Sequence, residues 1–127
     1  MEQKTILIVE DYDDTRELIA HILRGKGFRV VEAADGLKAV NAAKREKPDL
    51  ILMDLSLPAL DGFEATRQIK EGADTKHIPV VAVSAHCGES RSREKAKGVG
   101  CLDCVNKPVD FDTLDKILKR FAPGAIH

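Results

Sequence analysis

Leu50-Ile51-Leu52-Met53 is an unbroken apolar run that ends at Asp54. A strand with one wet face alternates apolar and polar side chains, so a continuous run of this length fits a strand covered on both faces. Ile6 to Val9, within the strand-length run Thr5 to Val9, and Val80 to Val83 read the same way. Two further strand-length runs, Phe28 to Val31 and Cys101 to Val105, have polar residues mixed in and around them, as Arg29 and Glu32 or Asp103 and Asn106. Three inner strands and two edge strands are therefore expected.

Between the runs lie segments with helical spacing, such as Leu18, Ile19, Ile22 and Leu23 in the first and Leu114, Ile117, Leu118 and Phe121 in the last. The punctuation agrees. Asp13 or Asp14 is placed to cap the first helix, Gly27 to end it, Pro48 to part the second helix from the third strand, and Gly98 and Gly100 to close the fourth. That fourth helix, Glu89 to Lys97, carries Arg91, Arg93, Lys95 and Lys97 with little that is apolar besides Ala96. It reads as a solvated helix held by few core contacts.

Strict alternation of strand and helix predicts an α/β fold: a doubly wound five-stranded parallel sheet with helices on both faces and right-handed crossovers. With strands one, three and four inside, the order is 2-1-3-4-5, the flavodoxin-like arrangement. Its ligand crevice lies at the carboxyl ends of strands one and three, where the winding reverses.

The 127 residues, 43% of them hydrophobic, suffice for one core without a structural metal. We read residues 1–127 as a single domain, with a core from about 4 to 121 and a short tail over 122–127. Lysine and arginine number 20 against 21 acidic residues, a net charge of -1, which argues against nucleic acid or an anionic membrane as partner. No apolar run reaches the length of a membrane span or a leader core, so a cytoplasmic location is expected. Cys87, Cys101 and Cys104 are odd in number and clustered, and are expected as reduced thiols. The Cys101-x-x-Cys104 spacing would point the two side chains to opposite faces of a strand, which argues against a redox or zinc pair.

The chemistry-bearing residues all fall at strand carboxyl ends. Glu10 and Asp11 end strand one, Asp54 strand three, Ser84 strand four and Lys107 strand five. Taken singly, each is an ordinary strand-end or capping residue. Together they converge on one edge of a parallel sheet. Three carboxylates in one place repel and call for a cation, and all-oxygen ligation with room for water suits Mg²⁺. An aspartate beside Mg²⁺ is a nucleophile toward phosphorus, with Lys107 and Ser84 able to neutralise and hydrogen-bond the phosphoryl oxygens.

Val9-Glu10-Asp11, Met53-Asp54-Leu55-Ser56-Leu57-Pro58 with Asp61-Gly62, Val83-Ser84-Ala85 and Asn106-Lys107-Pro108 resemble the four signature blocks of response-regulator receiver domains. The resemblance spans essentially the whole chain. It implies that Asp54 is the phosphoacceptor, Asp11 a direct Mg²⁺ ligand, Glu10 a ligand through water, and Ser56 a ligand through its carbonyl. Ser84 and Lys107 become the phosphate-contacting residues, and a cis peptide is expected at Lys107-Pro108. It also implies a phosphorelay role, with a histidine kinase or a histidine phosphotransfer protein as donor, an unidentified downstream protein target, and a monomer or weak dimer. Both a stand-alone regulator and a receiver within a larger kinase suit the sequence. One departure bears on signalling: Cys104 stands where the family usually has an aromatic residue that moves with the serine. His86, two residues past Ser84, is placed to tune access of water to the acyl phosphate.

Two other functions fit the sequence less well. A pseudo-receiver scaffold would be expected to have lost the acidic cluster, which is complete here. A haloacid-dehalogenase-like phosphatase would need a second aspartate two residues after the nucleophile, where this chain has Ser56.

Overall fold

The computed structural model describes residues 3–122. Five strands alternate with five helices: β1 (Thr5–Val9), α1 (Asp13–Gly25), β2 (Arg29–Ala33), α2 (Gly36–Glu46), β3 (Leu50–Asp54), α3 (Gly62–Glu71), β4 (Val80–Ser84), α4 (Ser90–Val99), β5 (Asp103–Asn106) and α5 (Phe111–Phe121). The sheet is parallel in the order β2-β1-β3-β4-β5, as the apolar patterning predicts. Every residue of β3 and β4 is buried, whereas β2 exposes Arg29 and Glu32 along its edge.

Successive side chains of β3 enter opposite layers. Leu50 and Leu52 pack with Leu23 of α1 and Leu114, Ile117 and Leu118 of α5. Ile51 and Met53 face the other way, against Ala39, Val40 and Ala43 of α2, Ala65 and Ile69 of α3, and Ala96 of α4. Small residues on α2 and α3 let those helices lie close to the sheet. Ala96 is the one buried residue of α4, in keeping with its polar composition.

Local details depart from the sequence reading at four places. Neither Asp13 nor Asp14 caps α1. The cap position is Tyr12, which makes no side-chain capping bond, and both aspartates lie in the first turn, where they complement the helix dipole. The last strand begins at Asp103, so Cys101 precedes it and the strand-alternation argument for the two cysteines does not apply. Cys87 and Cys104 form a disulfide, with Cα atoms 5.6 Å apart, while Cys101 is free and buried. The reading of all three as reduced thiols is thereby corrected. Finally, Ala122 is no tail residue: it is buried, and its amide donates to the Leu118 carbonyl at 2.9 Å to close α5. Residues 123–127 of the expected tail lie outside the described residues. Among the described residues, no helix is long and apolar enough to cross a membrane.

Candidate functional site

The parallel sheet delivers its carboxyl-end residues to one edge. Asp54 is the last residue of β3 and Ser84 the last of β4, and both are buried. Glu10 follows β1, its backbone held from two sides: its amide donates to the Ala33 carbonyl at 3.1 Å, and its carbonyl accepts from the Arg16 guanidinium at 3.0 Å. Lys107 follows β5, its amide donating to the Ser84 carbonyl at 3.0 Å. The Lys107-Pro108 peptide is cis, as the resemblance implies.

The Lys107 ammonium joins the acidic residues. Its Nζ lies 2.7 Å from Glu10 Oε1 and 2.9 Å from Asp54 Oδ2. Burial lowers the Lys107 proton affinity, but hydrogen bonds and charge from Glu10 and Asp54 outweigh it and hold the ammonium above its ordinary range. The remaining carboxylate oxygens are used too. Glu10 Oε2 accepts from the Tyr12 amide at 3.1 Å, and Asp54 Oδ1 accepts from the Ser56 amide at 3.0 Å. Among the described residues, no buried polar side-chain atom lacks a partner.

Glu10, Asp11 and Asp54 each offer an oxygen within 4.8 Å of the others. Asp11 is exposed, so this side of the cluster is open to water. Three acidic groups face one ammonium, and the excess negative charge, all on hard oxygen donors, fits a small divalent cation. Ser84 Oγ accepts from the His86 amide at 3.0 Å. The His86 side chain is exposed, with Nδ1 2.6 Å from Glu89 Oε2.

The structure adds roles that the sequence reading did not assign. Arg16 ties α1 to the end of β1 through the Glu10 carbonyl and pairs with Asp13 at 2.7 Å and Glu32 at 3.3 Å. Gly62 opens α3 directly against the Asp54 backbone, and its amide donates to the Leu55 carbonyl at 3.2 Å. The Asp61-Gly62 pair was visible in the sequence, but the close approach depends on how the β3–α3 loop folds back.

Residues 6–119 match the family described as the response regulator receiver domain. The chain belongs to that family. The polar-differentiation response regulator DivK of Brucella anthropi is 31% identical over 96% of this chain and 98% of its own length. The receiver domain of a sensor histidine kinase from Pseudomonas aeruginosa, whose crystal structure has a magnesium ion coordinated in the active-site cleft, is 38% identical with a TM-score of 0.86. It covers 94% of this chain and 98% of its own. The receiver domain of the yeast response regulator Ssk1, solved with the histidine phosphotransfer protein Ypd1, is 30% identical with a TM-score of 0.87, covering 94% of this chain and 88% of its own. This receiver is thus a signalling domain of the two-component phosphorelay type, and its sheet order is that of its fold relatives.

Proposed function

We propose that this receiver accepts a phosphoryl group on Asp54 from a phosphohistidine and thereby changes its affinity for a protein target. The observation that carries the reading is the position of Lys107 Nζ, within hydrogen-bond distance of both Glu10 and Asp54. An Asp54 carboxylate oxygen attacks phosphorus, an O–P bond forms, and the N–P bond to the donor imidazole breaks. Lys107 stays in contact with the site throughout and neutralises a phosphoryl oxygen, while the Ser84 hydroxyl donates to another. Glu10, Asp11, Asp54 and the Ser56 carbonyl would hold Mg²⁺, which supplies charge neutralisation for the transferring group. Attack of water on phosphorus then breaks the O–P bond, releases inorganic phosphate and returns the Asp54 carboxylate, so the domain carries its own phosphorylating and dephosphorylating chemistry.

A phosphohistidine has to come within bonding distance of Asp54, so its carrier must touch the rim of the site. Beside that rim runs a groove of about 250 Å³ that reaches Glu10 and Asp54 and is walled by Leu18, Ile22, Val109 and Phe111. Leu18 and Phe111 are 60% and 67% exposed, unusual for large apolar side chains. This groove between α1 and α5 suits a histidine kinase or a histidine phosphotransfer protein, the second being the kind of protein with which the yeast relative was solved. The polar surface of α4 is the counterpart we assign to the downstream target. We read residues 1–127 as one receiver unit, cytoplasmic, and monomeric or weakly dimeric.

Incubation with Mg²⁺ and acetyl phosphate tests the reading. One phosphoryl group per chain is expected by mass, absent in Asp54→Asn. No label on the wild type would favour a binding scaffold, and rapid multiple turnover of the donor would favour a phosphatase.

A further inference from the structure

The loop from Ala85 to Glu89 joins Ser84 to α4, and its middle is covalently tied to the neighbouring strand. Cys87 in this loop is bonded to Cys104 of β5, a separation of 17 residues. The two ends of the tether matter. Cys87 is three residues past Ser84, and Cys104 three residues before Lys107, so the bond fixes the segment carrying the hydroxyl against the strand carrying the ammonium. We propose that Cys87 and Cys104 are a reversible dithiol–disulfide pair through which cellular thiols set how freely the Ser84 loop answers phosphorylation of Asp54.

Both redox states are provided for. Cys87 Sγ lies 3.2 Å from the Val105 carbonyl oxygen, so the reduced thiol finds a hydrogen-bond acceptor in its buried site. Cys104 is half-buried and lines a cleft of about 280 Å³ between α4 and β5, open to a small thiol. Arg93 and Lys97 border the same cleft together with Glu94 and Asp103, so its wall carries both signs of charge and does not repel a charged thiol. Cys101 also lines it but sits buried with Thr66 and takes no part in the bond.

The exchange balances with a low-molecular-weight thiol such as glutathione. Its thiolate attacks Cys104 Sγ, the Sγ–Sγ bond breaks, and the Cys87 thiolate leaves and takes up a proton. A second thiolate attacks the mixed disulfide, releasing the small disulfide and the Cys104 thiol. Oxidation by that small disulfide is the reverse. A disulfide in a reducing compartment is usually transient and redox-sensing, which fits a pair reached through an open cleft.

The phosphorylation arm of the test rests on the Asp54 reading, and the other arms do not. In native protein equilibrated with glutathione buffers, alkylation after denaturation should count one thiol in the oxidised form and three in the reduced form. A pair already reduced in the most oxidising buffer, or still bonded in excess native reductant, overturns the proposal. Hydrogen exchange over residues 85–89 should quicken by roughly tenfold on reduction, as expected when a loop tether is released. Cys104→Ser and Cys87→Ser should match the reduced form in both redox conditions, and equal exchange in the two states of the wild type overturns the tether. Acetyl phosphate uptake with Mg²⁺ should be slower in the oxidised wild type and independent of redox state in either variant. Equal uptake in both states removes the regulatory role. No uptake in either state refutes Asp54 as acceptor, while the alkylation and exchange results still decide the redox pair.

Discussion

Gly62 lies so close to Asp54 that a Cβ on it would stand 2.1 Å from the Asp54 carbonyl oxygen. The obstacle is backbone, which cannot swing aside as a long side chain would. Gly62→Ala should therefore destabilise the fold by about 2 kcal/mol, even though alanine is the better helix former by about 1 kcal/mol. Phosphoryl uptake should fall with it, because the end of β3 has to shift. Urea unfolding and acetyl phosphate labelling measure the two effects, and a stabilised variant would show that the close approach has no consequence.

The excess negative charge of Glu10, Asp11 and Asp54 over Lys107 predicts a metal-linked stability. Mg²⁺ at ten times its dissociation constant should stabilise the wild type by about 1.4 kcal/mol. Without metal, Asp54→Asn should be more stable than wild type by about 1 kcal/mol, because one repelling carboxylate is gone. It should also gain less from Mg²⁺. Equal metal-induced shifts in the two proteins would remove Asp54 from the cation site.

Lys107→Met removes the cation that bridges Glu10 and Asp54. A loss of about 1 to 3 kcal/mol is expected in metal-free buffer, below the cost of breaking a fully buried pair because Lys107 remains partly exposed. Mg²⁺ should recover part of this loss. Labelling by acetyl phosphate should fall by roughly tenfold or more, the scale for losing one electrostatic contact to a transferring group.

The exposed apolar rim makes a prediction that separates chemistry from docking. Leu18→Asp should leave labelling by acetyl phosphate unchanged and slow transfer from a phosphorylated histidine phosphotransfer protein by roughly tenfold, the loss expected for one apolar anchor of an interface. Equal slowing with both donors would show that the substitution disturbs the site itself.

Burial pushes the Cys101 thiol up to about 11 from its ordinary 9.0, with Thr66 and Lys70 acting in the opposite direction. The unfolded thiol releases its proton above 9.0 while the folded one retains it, so stability falls as pH rises. Between pH 9 and 11 the loss is about 2 kcal/mol. Lys107 adds to this, since its raised folded value confers stability below about 10.5 that is lost above it. In a Cys87→Ser, Cys104→Ser background, which leaves one thiol, urea unfolding across this range should show the decline. Cys101→Ala should flatten its first part, and an unchanged slope would contradict a buried titrating thiol.

The sheet order could be read from the sequence because burial on both faces leaves a direct mark, the unbroken runs in β1, β3 and β4. Glu10, Asp11, Asp54, Ser84 and Lys107 could likewise be placed on one edge, since each lies at or just past the carboxyl end of a strand in a parallel sheet. The disulfide could not. Cys87 is in a loop and Cys104 on a strand, and their meeting depends on the β4–β5 register, which pairs Ala82 with Cys104, and on the loop turning back over β5. The odd count and clustering of the cysteines point to three reduced thiols, and their spacing pairs no two of them. Neither Asp13 nor Asp14 serves as the cap because α1 begins at Asp13, with Tyr12 at the cap position and both aspartates in the first turn.

The alternation of β3 between two separately packed layers ties Asp54 mechanically to both faces of the sheet. Leu50 and Leu52 are gripped by the α1 and α5 side, Ile51 and Met53 by the α2, α3 and α4 side. A load applied at the tip of this strand is therefore shared between two bodies that otherwise have few side chains in common. Substitutions deep in either layer, far from the strand end, have a route to altering the response.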